Sequence, residues 1–178
     1  NTGGGQLVKF SPSGQMLKII GEHGQGKGLL AEPNAVAVND DGMIYVVDAQ
    51  ASKVVVFNNA GQFAFEFSIP QASAAVGPRL VILKDGSLLI TAPEPHLIQK
   101  YSSDGKLIAQ FGGFGTDAGR FRQPTGLDVQ GGVIWVAETE SSGASTPSNR
   151  TRASARRVGR RLSCGTDKAV SGPIPTPP

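Results

Sequence analysis

Hydrophobic residues in the body of the chain, residues 1–142, occur in short runs that turns interrupt. β-branched and aromatic residues dominate these runs, as is typical of β-strands. Turns such as DDG (40–42) and KDG (84–86) lie between the runs and place a glycine where a hairpin needs a positive φ. No stretch shows a sustained 3.6-residue period, so the pattern predicts antiparallel strands and almost no helix. The clearest succession of runs is NAVAV (34–38), MIYVVDA (43–49), KVVVFN (53–58) and FAFEF (63–67).

This pattern repeats along the chain. A shift of 91 positions places three glycines of segment 21–28 on three glycines of segment 112–119. Three prolines, Pro33, Pro78 and Pro124, lie 45 and 46 positions apart. Four antiparallel strands within about 45 residues form one blade of a β-propeller. The sequence therefore predicts an all-β propeller built from four-stranded antiparallel blades.

Two segments carry motifs of this architecture, EPNAVAVNDDGMIYVVDAQASKVVVFNNAGQFAFEF (32–67) and GRFRQPTGLDVQGGVIWVAE (119–138). They resemble NHL repeats, whose pattern is roughly P-x-G-[LIV]-A-V-D, G-x-[IL]-Y-V-A-D, R-[IV]-x-V-F and G-x-F. The resemblance covers about residues 5–142 and implies a six-bladed propeller.

The number of blades is as informative as their type. Propellers usually close with 4–8 blades. We therefore interpret residues 1–142 as a partial propeller, about half of a six-bladed ring, whose missing blades come from the full-length chain or from a second copy. Incomplete terminal blades would expose apolar faces and unpaired strand edges. The segments supply two outer strands (6–20), two complete blades (34–68 and 79–112) and two inner strands (125–137).

Composition changes after residue 142. Residues 143–178 carry seven basic residues and one acidic residue, whereas residues 1–142 carry 10 basic and 13 acidic residues. This tail is rich in Arg, Ser and Pro and poor in large apolar residues, which predicts disorder. The repeat stops where a third strand is due, so we also hypothesise that the tail is translated out of frame. The mildly acidic body does not favour nucleic-acid binding, and no apolar run is long enough to span a membrane.

The stretch GEHGQGKG (21–28) fits part of the phosphate-binding pattern G-x-x-x-x-G-K. Its counterpart in the repeat, GGFGTDAG (112–119), shares the three repeat glycines but has no lysine. The element expected next is a strand, not the helix whose N-terminus would bind a phosphate. We therefore predict an inter-blade turn here and no nucleotide site.

Binding residues are expected where the loops of a propeller gather on one face around the channel mouth. Acids, one Arg and one His in this region suit a peptide, a sugar or a polar protein loop. We align Pro93 with Asp48 and Glu138, the acidic residues at the matching position of the other two copies. No clustered metal ligands and no nucleophile–base pair occur in the body, so we predict no catalytic residue, no metal and no cofactor. The predicted ligand-binding residues are Asn34, Arg79 and Thr125, after the repeat prolines, and Asp48, His96 and Glu138 near the other loops.

Two classes of function remain. The resemblance implies a non-catalytic binding or scaffold module, because NHL propellers are often appended to other domains as binding platforms. Some bind single-stranded RNA, which the acidic body disfavours here, so a protein or peptide partner is expected. The alternative is a fragment of a propeller enzyme, a metal-dependent lyase or lactonase-like protein whose active site needs the missing blades. The scarcity of histidine, with only His23 and His96, disfavours the lyase.

Overall fold

A computed structural model of the chain describes residues 4–70 and 77–139, together with the backbone of residues 154–158. The described residues form strands and turns and contain no helix, so none that could cross a membrane. The strands are β1 (Leu7–Phe10), β2 (Met16–Ile20), β3 (Pro33–Val38), β4 (Ile44–Asp48), β5 (Lys53–Phe57), β6 (Phe63–Ser68), β7 (Leu80–Ile82), β8 (Leu88–Ala92), β9 (Leu97–Tyr101), β10 (Leu107–Gly112), β11 (Pro124–Gln130), β12 (Val133–Glu138) and β13 (Ser154–Val158).

The strands form four antiparallel sheets. The second sheet has the order β3-β4-β5-β6 and the third has β7-β8-β9-β10. Each is a four-stranded meander of the kind that builds one propeller blade. The first sheet holds β1 and β2, and the fourth holds β11, β12 and β13. This architecture confirms the prediction of a partial all-β propeller with two complete blades.

The first sheet corresponds to the third and fourth strands of a blade. Its register shifts between Lys9 and Phe10, and the pairing of β5 with β6 shifts between Val56 and Phe57. In both pairs the outer strand has one extra residue at the same point of the repeat, which shows that β1 matches β5 and that β2 matches β6. A bulge of this kind bends the strand and is a positional feature of a repeat.

Apolar clusters join neighbouring sheets. Alternate residues of β4 point to opposite sides, as strand geometry requires. Tyr45 and Val47 pack with Leu80 and Leu88 of the third sheet, whereas Val46 packs with Ile20 of the first sheet. A fully buried aliphatic side chain contributes about 1.5–3 kcal/mol relative to an exposed one. Because both sides of β4 are buried, its sequence has the continuous apolar run IYVV in place of an alternating pattern.

The fourth sheet includes a strand in the segment for which composition predicts disorder. β13 pairs antiparallel with β12, from Ile134 opposite Val158 to Glu138 opposite Ser154. It therefore occupies the place of a third strand. The remaining residues of segment 143–178 lie outside the described residues, so disorder and the reading-frame hypothesis stay predictions.

Candidate functional site

All six predicted binding residues lie near the same end of their sheets, where each first strand begins and each second strand ends. Pro33 pairs with Asp48, and Pro124 pairs with Glu138, so the equivalent ends of two sheets are fixed by pairing. We call this end the loop face. It comprises the inter-sheet loops 21–32 and 112–123 and the turns 49–52 and 93–96.

The two inter-sheet loops have the same backbone structure. The N–H of Leu30 donates to the carbonyl of Glu22 at 2.9 Å, and the N–H of Phe121 donates to the carbonyl of Gly113 at 2.9 Å. Leu30 and Phe121 are both fully buried and fix their loops to the sheets below. Because the matching residues are 91 positions apart, the hydrogen bonds reproduce the repeat seen in the sequence.

An internal carboxylate holds the loop that resembles a phosphate-binding motif. The N–H of Gly28 donates to Oε2 of Glu66 at 3.0 Å, and Nζ of Lys53 lies 3.0 Å from the same oxygen. Lys53 also donates to the carbonyl of Gly26 at 2.8 Å. Burial alone would raise the pKa of Glu66, but these donors outweigh it and the pKa is lowered. Strand β3 follows this loop, as an inter-blade turn requires.

Asp48 holds the loop above it in place. Its side chain is fully buried, and its carboxylate accepts the N–H groups of Ala31 at 2.5 Å, Glu32 at 3.1 Å and Ala51 at 3.0 Å. The carboxylate therefore has a structural role within the propeller, and its predicted role in ligand binding stays a prediction. Glu138 acts in the same way in the fourth sheet, where Oε2 accepts the N–H of Arg122 at 3.0 Å.

The third sheet has no carboxylate at this position. Ala92 pairs with Leu97 at the end of β8, as Asp48 pairs with Lys53 at the end of β4. Ala92 is therefore the counterpart of Asp48, and the alignment of Pro93 with Asp48 was wrong by one residue. The error arose in a turn, where no side-chain alternation marks the register.

The three residues that follow the repeat prolines differ in exposure. Oδ1 of Asn34 accepts the N–H of Ala49 at 3.2 Å, and Oγ1 of Thr125 lies 3.5 Å from the carbonyl of Ala137. Both side chains are half-buried, whereas Arg79 is exposed. Of the three, Arg79 has the side chain most available to a ligand.

His96 connects the third sheet to the neighbouring loop. It has a positive φ of 58°, which is uncommon for a residue with a side chain. Nδ1 of its ring contacts the carbonyl of Arg122, and its own carbonyl accepts the N–H of Gly113 at 2.8 Å. This double attachment holds loop 112–123 against turn 93–96.

Phe114 lies on this attachment and was not predicted from the sequence. Its ring is tilted against that of His96 with centroids 4.9 Å apart, and the residue is 70% exposed. In the repeat it matches His23, a polar residue. The one signal in the sequence was the presence of a large aromatic residue in a glycine-rich loop. The two residues together form an exposed aromatic surface.

The loop face shows no metal centre within the described part of the chain. No group of three or more His, Cys, Asp or Glu residues is close enough there to bind a metal ion.

Comparison with known proteins identifies the repeat. The chain is 32% identical to the protein brain tumor of Drosophila melanogaster over 125 residues, which cover 67% of this chain and 12% of that protein. It is 32% identical to the B-box type zinc finger protein ncl-1 of Caenorhabditis elegans over 142 residues, which cover 71% of this chain and 16% of that protein. Both relatives are NHL-repeat proteins. The chain carries part of an NHL-type β-propeller.

The solved structures agree on the fold of this NHL-type propeller. Kuenenia stuttgartiensis hydrazine synthase matches 80% of this chain and 38% of its own with a TM-score of 0.60 at 14% identity. Streptogramin B lyase matches 87% of this chain and 48% of its own with a TM-score of 0.57 at 16% identity. At sequence identities this low, the similarity shows a shared fold alone. No family model matches the chain.

Proposed function

We propose that this NHL-type propeller is a non-catalytic recognition module whose loop face binds a protein or peptide partner. The observation that carries the proposal is the exposed ring of Phe114, held by His96 in a loop that backbone hydrogen bonds fix. A large aromatic side chain that is already ordered loses little entropy on binding, so it suits the centre of an interface. The similarity to NHL-repeat proteins supports a binding role.

The surroundings of Phe114 suggest the chemistry of the partner. Arg120, in the same loop, is exposed, and Nη1 lies 3.5 Å from the carbonyl of Gly112. Arg79 is also exposed on the loop face. The same loop also carries the exposed Asp117, so its charges are mixed, and the aromatic ring favours a segment that presents an apolar side chain flanked by polar groups.

Selection from a random peptide library displayed on phage tests this proposal. The chain is immobilised, peptides are selected, and the affinity of each is measured by calorimetry for the original chain, F114A and F10A. Phe10 is the matched control because it is 58% exposed and lies at the opposite end of its sheet from the loop face. We expect F114A to weaken binding about 30-fold, the effect of losing about 2 kcal/mol at an interface centre, and F10A to leave it unchanged.

Two results would overturn the proposal. Selected peptides that bind F114A as tightly as the original chain would place recognition elsewhere. Failure to select any peptide, combined with F114A-sensitive binding of a labelled single-stranded RNA, would assign the face to another class of ligand.

A further inference from the structure

The first and fourth sheets are incomplete in complementary ways. β1 and β2 match the third and fourth strands of a blade, whereas β11 and β12 match the first and second. Among the described residues, no strand pairs with the edge of β1 that faces away from β2. That edge carries backbone N–H and C=O groups able to accept a further strand.

The second sheet exposes an apolar surface beside that edge. Val36 and Val38 of β3 are 53% and 58% exposed, although Ala35 and Ala37 on the other side of the strand pack into a core cluster. The third-sheet counterparts of the two valines are Leu80 and Ile82, which pack against the second sheet. The valines therefore occupy positions that a neighbouring blade covers elsewhere in this molecule.

The fourth sheet exposes the matching surface. Trp135 of β12 is 40% exposed, whereas Ile134 and Val136 on the other side of the strand are buried against the third sheet. The counterparts of Trp135 in the second and third sheets are Tyr45 and Leu89, which are 2% and 0% exposed. Each of these two contacts the sheet that follows it in the chain. Trp135 thus points where a following blade belongs.

A groove connects β1 with the exposed valines. It has a volume of about 240 Å³ and is lined by apolar side chains that include Leu7, Ile20, Val36, Val38 and Ile44. We propose that the β11–β12 hairpin of a second copy of this chain packs over this groove, with its β12 pairing with β1 and its Trp135 packing on Val36 and Val38. Each junction completes one four-stranded blade. Its first two strands are β11 and β12 of one copy, and its last two strands are β1 and β2 of the other.

Two such junctions close a ring. Each copy contributes two complete sheets, and the two shared blades bring the total to six, within the 4–8 blades that close a propeller. The arrangement has twofold symmetry about the channel axis, the commonest symmetry of protein dimers. It leaves the loop faces of both copies on the same side of the ring, so it is independent of peptide binding at Phe114.

Strand β13 competes with the second copy for the edge of β12. Its register places Arg156 opposite Val136 and Arg157 opposite Trp135. In the second sheet the matching third-strand residues are Val55 and Val56, both fully buried. Because β1 matches β5, Val8 and Lys9 would take these two positions when β1 of a second copy pairs with β12. Two strands cannot pair with the same edge, so formation of the ring requires β13 to leave it.

Sedimentation equilibrium of the 178-residue chain tests the proposal. We expect a concentration-dependent shift from 18.4 kDa to twice that mass. Trp135 is the single tryptophan, so its fluorescence should shift to shorter wavelength over the same concentration range. V36D/V38D should raise the dimer dissociation constant at least about 100-fold, because it places charges in an apolar interface. A mass that stays at 18.4 kDa at all concentrations, with folded circular dichroism, would overturn the proposal.

A mixing experiment separates this ring from nonspecific association. V36D/V38D damages the groove and W135D damages the hairpin, so neither variant should form a homodimer. A mixture of the two keeps one intact junction, and differently tagged copies should therefore co-purify. The control I108D changes a residue that is 55% exposed on β10, away from both surfaces, and should dimerise normally. Equal loss of dimer in I108D, or no co-purification of folded variants, would contradict the assigned surfaces.

Discussion

Asp48 should be among the residues on which the stability of the propeller depends most. Its buried carboxylate accepts three backbone N–H groups, two from the inter-sheet loop 21–32 and one from the turn 49–52. A hydrogen bond to a charged group contributes about 1.5–3 kcal/mol, and a buried donor left without an acceptor costs about 1–3 kcal/mol. D48A removes the acceptor of all three hydrogen bonds. Water can partly hydrate the freed N–H groups, so the total cost is smaller than the sum of three separate losses. We expect a loss of about 3–5 kcal/mol in the free energy of unfolding.

D48N separates the charge from the shape of the side chain. Its remaining oxygen can still accept the N–H groups of Glu32 and Ala51, which share Oδ1 in the native chain. Its amide nitrogen would face the N–H of Ala31, which then has no acceptor. The expected loss is about 1.5–3 kcal/mol, between that of D48A and zero.

Urea denaturation followed by circular dichroism measures both losses. A slope of about 1–3 kcal/mol per molar converts the D48N loss into a midpoint shift of roughly 1 M. D40N is the control, because Asp40 is exposed in a hairpin turn and its change should stay within about 0.5 kcal/mol. If D48A and D48N both unfold at the midpoint of D40N, the carboxylate does not hold the loop and the reasoning fails.

Three further changes test the loops and turns. G28A and G119A both place a side chain at a positive φ, which costs about 1 kcal/mol. The new Cβ at Gly28 would lie 2.8 Å from a phenylalanine ring whereas that at Gly119 meets open space, so G28A should have the lower urea midpoint. A double-mutant cycle of K53M and E66Q should give a coupling of about 1 kcal/mol at pH 7. This coupling should shrink in acid, because a carboxylate with a lowered pKa stabilises the fold only while it is ionised. Asp85 has a pKa lowered to about 2, chiefly by the Ser87 hydroxyl, so the melting temperature of D85N should fall less than that of the original chain between pH 4 and 2.

The sheets were predictable because each strand carries its own signal. The run KVVVF of β5 is buried on both sides, and its continuous apolar pattern marks it without knowledge of its neighbours. The glycines of the inter-blade loops were equally informative, since Gly24 and Gly115 have φ values of 154° and 153° and make matching bonds. Positions set by local conformation and periodic burial are thus visible in a single sequence.

The site was less predictable because its residues act through contacts between different blades. Asp48 was expected on a binding surface, but only the structure shows that the N–H groups of Ala31 and Glu32 enclose it. Phe114 was missed because its ring contact is with His96, 18 positions away in the sequence. An acid in a loop has the same sequence pattern whether it binds a ligand or a backbone, and three-dimensional burial decides between them.

The turn that carries His96 follows the repeat in its backbone and departs from it in its side chain. Ser52, 44 positions earlier, also has a positive φ of 51°, and its carbonyl accepts the N–H of Ile69 at 3.0 Å, as the carbonyl of His96 accepts that of Gly113. Glu138 holds the loop that carries Phe114, as Asp48 holds loop 21–32. Because the backbone contacts are repeated, the imidazole of His96 and the ring of Phe114 are what distinguish the loop of the proposed binding surface from loop 21–32.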